Sequence, residues 1–298
     1  MLRFALCFLL LLGLASAGPA LVRSKEEIED FIKYLDRIKK GNSEQPNILS
    51  RSALPAVEDS EELSGRYQGD IVLDDEDYER MLTEYTMGRN AYSTSSITTW
   101  PNNVVVYEFA TNAFNRLQQN AILSAIADIE EHTCVRFRTR ESTDDAYVRI
   151  TGTTNGCYSH VGYRKSRGEH TMNLGRNTVG VGCFRHATIV HEFMHILGFT
   201  HMHTTSDRDN YVDIIKENIR SGTEHNFDIY DESTLHNYGV PYDYVSCLHY
   251  SSNSYTINGD PTIVPKQKFE GEMGQREFVT DLDWLRINRH YNCPGAWN

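Results

Sequence analysis

The sequence has the pattern of an α+β protein, and three observations lead to that class. The β-branched run Val104-Val105-Val106-Tyr107-Glu108-Phe109 has the texture of a buried strand. Between Asn115 and His132, Leu117, Ile122, Ile126 and Ile129 recur near helical spacing. Around position 190, Ile189, Val190, Met194 and Leu197 give a second helix a core-facing side.

The elements follow in chain order. Met1-Leu2-Arg3, the apolar block from Phe4 to Leu14 and the small residues Ala15-Ser16-Ala17 form a secretory signal pattern with cleavage after Ala17. That block is shorter than the roughly 20 residues a membrane span needs, and no later stretch qualifies, so a secreted, extracellular product is expected. From Ser24 to Lys40, Ile28, Phe31, Ile32, Leu35 and Ile38 keep helical spacing, and Ser24 with Glu27 makes a capping box. Residues 41–69 are rich in Ser, Pro, Asn, Glu and Gly and are expected to form an extended linker. After the acidic run Asp74 to Glu79 comes Met87-Gly88-Arg89-Asn90-Ala91, where Arg89 suits a trypsin-like cut. Ordered structure is expected to begin at Val104, with strands at Ala146 to Thr151 and Thr171 to Gly175, the latter an edge strand beside a cleft. Leu285, Ile287 and Tyr291 place a final helix at Leu282 to Tyr291.

The formal charge is −12, and the chain is acidic on both sides of Arg89. That balance argues against a nucleic-acid partner, which needs a basic surface. Of the six cysteines, Cys7 lies in the leader and leaves with it. Cys134, Cys157, Cys183, Cys247 and Cys293 then face an oxidising compartment, and their odd number leaves one thiol unpaired.

Chemistry concentrates in His191-Glu192-Phe193-Met194-His195-Ile196-Leu197-Gly198-Phe199-Thr200-His201. Two histidines four apart share one helix face, so both imidazoles reach one ion. Glu192 lies one residue round from His191, close enough to hold a water at the metal and take its proton. Gly198 can adopt positive φ, turn the chain out of the helix and bring His201 to the same ion. Three nitrogen ligands leave positions open, which marks a catalytic zinc site rather than a closed structural one. The short H-E-x-x-H pattern recurs by chance; the extended one is far more specific. His203 is a bystander on this reading, solvent-exposed or hydrogen-bonding.

From Asn90 to Cys293 the chain resembles the astacin family of metzincin zinc metalloendopeptidases. Besides the histidine run, the resemblance rests on Asp207-Arg208-Asp209-Asn210-Tyr211-Val212, Pro241-Tyr242-Asp243-Tyr244, Ser246-Cys247-Leu248-His249-Tyr250 and Gly274-Gln275-Arg276, with Asp283, Asn288, Tyr291 and Cys293 in the closing helix. It implies a zincin-like, two-lobed domain over 90–298. The N-terminal lobe, about 90–198, would hold a mixed, mostly parallel twisted sheet and two long helices. The C-terminal lobe, about 199–298, would be mostly irregular with a terminal helix, and a cleft would separate the two. The implied activity is hydrolysis of protein or peptide substrates with one Zn²⁺, Glu192 acting as base and acid. Tyr250 matches the family's displaceable zinc-ligand tyrosine, which can also stabilise the oxyanion. Tyr67-Gln68-Gly69-Asp70-Ile71 resembles the family's latency motif, making 18–89 a propeptide, Asp70 its metal ligand, and an activating protease at or near Arg89 a partner. The resemblance further implies disulfides Cys134–Cys293 and Cys157–Cys183, with Cys247 free.

Several positions depart from the family pattern. Met202 stands where glutamate usually engages the new N-terminus, so a start at Asn90 would be tied differently or left mobile. Thr205 replaces an arginine, and Leu248 replaces the turn methionine at similar volume, a swap that usually costs under about 1.5 kcal/mol. Arg164-Lys165-Ser166-Arg167-Gly168-Glu169 is an insertion bordering the cleft. Arg276, or secondarily Lys266, would face the pocket for the residue after the cut and favour acidic side chains. The competing reading of Met202, Thr205 and Leu248 is a catalytically inactive secreted binding protein that keeps the fold.

Overall fold

The computed structural model describes residues 23–43, 61–87, 99–230 and 237–298. The signal pattern 1–17, Arg89 and Asn90 lie outside them. Six strands form the main sheet: β1 (Ile71–Val72), β2 (Val104–Phe109), β3 (Arg136–Thr139), β4 (Tyr147–Thr151), β5 (Cys157–His160) and β6 (Glu169–Leu174). Their spatial order is β1-β5-β6-β4-β2-β3, and every neighbouring pair is parallel except β5 with β6. The described residues contain helices α1 (Lys25–Ser43), α2 (Asp75–Thr86), α3 (Arg116–His132), α4 (His186–Ile196) and α5 (Asp281–His290).

The branched and sulfur-bearing residues of the sheet, Val105, Val148, Ile150 and Met172, cluster with Ile122 and Ile129 of α3 and Ile189 and Phe193 of α4. Each such side chain, fully buried, contributes about 1.5–3 kcal/mol. Four helices begin with reciprocal capping boxes: Ser24 with Glu27, Asp74 with Asp77, Asn115 with Gln118, and Thr280 with Asp283. Each satisfies backbone N–H groups that the helix itself leaves unpaired.

Helix α4 is buried from Ala187 to Ile196, so it runs through the core and its orientation is set on all sides. Its last carbonyls are also bound. Trp100 Nε1 donates to Ile196 O at 2.9 Å and the Tyr291 hydroxyl to Leu197 O at 3.1 Å. Cys134–Cys293 ties the start of β3 to the segment after α5, and Cys157–Cys183 ties β5 to the loop before α4. Cys247 is free and buried.

Beyond α4 the chain is mostly short turns, with one antiparallel pair, β7 (Val212–Ile214) and β8 (Ile263–Pro265), before α5. A second cluster including Met202, Val212, Phe227, Tyr242 and Tyr255 fills this part. None of the described helices is long and apolar enough to cross a membrane.

Three expectations change. Order begins well before Val104, because α1 and α2 pack together: Phe31, Tyr34, Met81 and Tyr85 form a third cluster with Tyr67 and Tyr230. Residues 61–69 of the expected linker are held inside the molecule, with Glu61, Ser64, Tyr67 and Gln68 buried. Their partners lie in distant parts of the chain, so local composition carries no trace of them. Finally, Thr171 to Gly175 is not an edge strand, since β6 lies between β5 and β4. Strand β5 lies further out, its four residues Cys-Tyr-Ser-His all buried and without alternation, and β1 pairs along it with Ile71 opposite Ser159.

Candidate metal centre

Positive φ at Gly198 (109°) ends the α4 segment and redirects the chain, and His201 comes back beside His191 and His195. Asp70 enters from the N-terminal segment. Ligand atoms of Asp70, His191, His195 and His201 all lie within 4.8 Å of one another, and all four residues are fully buried. Asp70 Oδ2 is 3.0 Å from Nε2 of both His191 and His201, and the Nε2 atoms of His191 and His195 are 3.0 Å apart.

The inner nitrogens fix which tautomer faces the centre. His191 Nδ1 donates to Cys247 O and His195 Nδ1 to Phe199 O, each at 2.7 Å. His201 Nδ1 meets Gln68 Oε1 at 3.0 Å, while Gln68 Nε2 donates to the Tyr230 hydroxyl at 2.7 Å. Each Nε2 therefore turns a lone pair toward one point, as in metal-ligating histidines oriented through their other nitrogen. Three lone pairs and a carboxylate at this spacing repel unless a cation lies among them. A tetrahedral ion with bonds of about 2.0–2.1 Å separates its ligands by about 3.3 Å, so the donor set and spacing fit zinc.

Burial opposes ionisation of Asp70, but the imidazoles of His201 and His195 outweigh it and hold the carboxyl well below the usual carboxylate range. Burial pulls His201 down to about 4, against the opposing charge of Asp70. Glu192 is raised well above its ordinary value by burial and then by the charge of Asp70. Its Oε2 accepts from Ser159 Oγ at 2.7 Å, while Oε1 is buried without a hydrogen-bond partner.

The Tyr250 hydroxyl donates to Gln68 O at 2.6 Å, with its ring 4.8 Å from that of His201. Arg276 Nε donates to Glu61 Oε1 at 2.8 Å, and its Nη1 reaches His249 O at 3.2 Å. Burial opposes ionisation of Glu61, and the Arg276 guanidinium leads the effects that leave its carboxyl below the ordinary value. Lys266 lies apart, paired with Asp213 on β7 at 3.0 Å. His203 is not solvent-exposed: it is fully buried, its ring 3.8 Å from that of Tyr250 and its Nε2 against Asn226 O at 2.9 Å. Met202 and Leu248 are both buried, joined by a 3.0 Å hydrogen bond from Met202 N to Leu248 O. Glu61, Gln68 and Ser159 belong to this site without having been singled out. Gln68 stood inside the motif that contains Asp70, but nothing local marks Glu61 or Ser159.

A buried three-imidazole cluster on a helix and its following turn, packed against β5 of a mixed sheet, is the arrangement of a zinc-dependent metallopeptidase. The chain belongs to the astacin peptidase family, whose sequence model matches residues 92–292. It is 37% identical over 239 residues to seminal metalloprotease 1 of Drosophila melanogaster, covering 79% of this chain and 90% of that protein. Zinc metalloproteinase nas-4 of Caenorhabditis elegans is 33% identical over 241 residues, 80% of this chain and 73% of that one. Among solved structures, high choriolytic enzyme 1, a hatching-enzyme zinc protease from the medaka fish Oryzias latipes, matches with a TM-score of 0.59 at 32% identity, covering 68% of this chain and 97% of that one. The protein is thus a zinc metalloendopeptidase of astacin type, and its cofactor is zinc.

Proposed function

We propose that the chain is made as a secreted, latent endopeptidase, with residues 1–17 a signal peptide, 18–89 a propeptide and 90–298 the peptidase domain. His191, His195 and His201 are the zinc ligands of the active form, joined reversibly by Tyr250; Asp70 takes the open position in the latent form. The observation that carries this reading is Asp70 Oδ2 at 3.0 Å from two of the three inward-facing imidazole nitrogens, where a substrate carbonyl or water would otherwise stand.

When bound, zinc supplies Lewis acidity that makes a water acidic and polarises the scissile carbonyl. Glu192 receives the proton of the attacking water on Oε1 and passes it to the leaving amine, while Ser159 holds Oε2 and so fixes the carboxylate plane. Removal of the N-terminal segment takes away Gln68 O, the present acceptor of the Tyr250 hydroxyl, and frees that donor for the developing oxyanion. Arg276 selects an acidic side chain in the pocket after the cut. The Glu61 carboxylate on its guanidinium supports that role, because it fills the place such a side chain would take.

The test compares untreated and trypsin-treated protein on casein or gelatin, with Glu192→Ala and a chelator as controls. Activity only after treatment, lost in both controls, is expected. N-terminal sequencing of the active form locates the cut near Arg89. A zinc-loaded wild type that stays inactive after confirmed removal of the segment overturns the reading in favour of an inactive binding protein.

A further inference from the structure

Outside the metal centre, a network of ion pairs among the described residues joins the loop between β5 and β6 to α2. A short 3₁₀ turn, Lys165–Arg167, fixes this loop. Arg164 precedes the turn in extended backbone and Arg167 ends it, yet both side chains converge on Asp74 and Asp77 and are only 11% and 5% exposed. Arg164 Nη1 meets Asp77 Oδ1 at 3.0 Å and also pairs with Asp74, while Arg167 Nε and Nη2 reach Asp74 and Asp77 at 3.0 and 2.8 Å. Glu76 adds a longer contact to Arg164 at 3.6 Å. Among the described residues, every carboxylate in ion-pair contact with either guanidinium therefore belongs to α2 or its cap. Arg167 Nη1 is buried without a hydrogen-bond partner.

The path to these arginines is the edge of the cleft. From Asp70 the chain pairs with β5 through Ile71 and Val72, and Asp74 lies four positions beyond Asp70. That is about 13 Å of extended backbone. We propose that Arg164 and Arg167 form a carboxylate-binding site at this end of the cleft, which Asp74 and Asp77 occupy in the full chain and an acidic side chain of a protein substrate occupies after activation. This rests on the reading that residues 18–89 are removed. Once α2 leaves, the two guanidiniums lose every ion-pair partner they have among the described residues, and the forked donors of arginine match carboxylates. A substrate strand laid along β5 would bring to them a side chain about four residues from the scissile bond.

The test uses activated enzyme and three quenched peptides with one cleavable core. One has glutamine flanks, one carries glutamates three to five positions before the cut, and one carries them three to five positions after it. One of the acidic peptides is expected to show kcat/KM about fivefold above the neutral peptide at low salt. The advantage should disappear at about 0.5 M salt, and also in Arg164→Gln/Arg167→Gln, which still cuts the neutral peptide at the wild-type rate. Equal kcat/KM for all three peptides overturns the site, as does an advantage that survives salt or the double substitution. The salt arm needs no variant and decides alone if the substitutions prevent folding. Failure of wild type to cut even the neutral peptide removes the protease reading and this site with it.

Discussion

Replacing Asp70 by asparagine keeps the side-chain volume and removes the charge that faces three imidazoles. Asp70 is fully buried, with Oδ2 at 3.0 Å from two Nε2 atoms and Oδ1 3.5 Å from a third. With zinc held among the imidazoles, removing the carboxylate from this buried ionic cluster costs about 3–5 kcal/mol. At about 1.4 kcal/mol per factor of ten, the open population of the N-terminal segment rises by roughly 10²- to 4 × 10³-fold. The effect can be read on a full chain carrying Arg89→Gln, so that no cut at that position contributes, by hydrolysis of a quenched peptide with and without Asp70→Asn. Background turnover should climb by about two orders of magnitude. A chain with Asp70→Asn that stays as silent as its parent would refute the reasoning, provided trypsin still activates an Arg89-containing copy of it.

Other perturbations test other parts of the structure. Cys134→Ser/Cys293→Ser opens a link between residues 159 apart and should lower stability by about 2–5 kcal/mol in guanidinium unfolding; a loss below about 0.5 kcal/mol contradicts the assigned constraint. Gly198→Ala forces a Cβ onto a residue at φ 109°, with strain of about 1–2 kcal/mol, and should displace His201. Zinc content after dialysis should fall, and full retention would count against the turn's role. Burial alone would lower the pKa of His225, but its hydrogen bond and charge contact with Asp228, followed by Asp30 of α1, raise it above 6.5. Its stabilising contribution is therefore complete below pH 6.5 and lost as pH rises through the raised value. The ring lies against Phe31, Tyr34 and Tyr85 of the N-terminal segment, so the full chain should melt at lower temperature at alkaline pH. His225→Gln should flatten that dependence, and an unchanged pH profile would reject it.

The histidine run was legible because its geometry is local. A helix places residues four apart on one face, and one glycine suffices to redirect the chain, so eleven consecutive residues specify where three imidazoles go. Strands β2 and β4 and helices α1, α3 and α5 were legible for a similar reason, since branched runs, periodic apolar positions and capping residues act over a few residues. Helix α2 looks in the sequence like no more than an acidic run, although Asp74 and Asp77 form its cap.

The contacts that needed the whole fold join residues far apart in sequence. Ser159 meets Glu192 across 33 positions, Arg167 meets Asp77 across 90, and Glu61 meets Arg276 across 215. No periodicity links such pairs. Each exists because the sheet brings β5 beside α4, and because the N-terminal segment lies along the edge that β5 offers. The meeting of three imidazoles and the class of chemistry follow from the histidine run alone, because that spacing is set by local backbone geometry. Which groups meet Glu192, Asp70 and the two arginines depended on packing, where a side chain's neighbours are chosen by the whole fold rather than by its own stretch of chain.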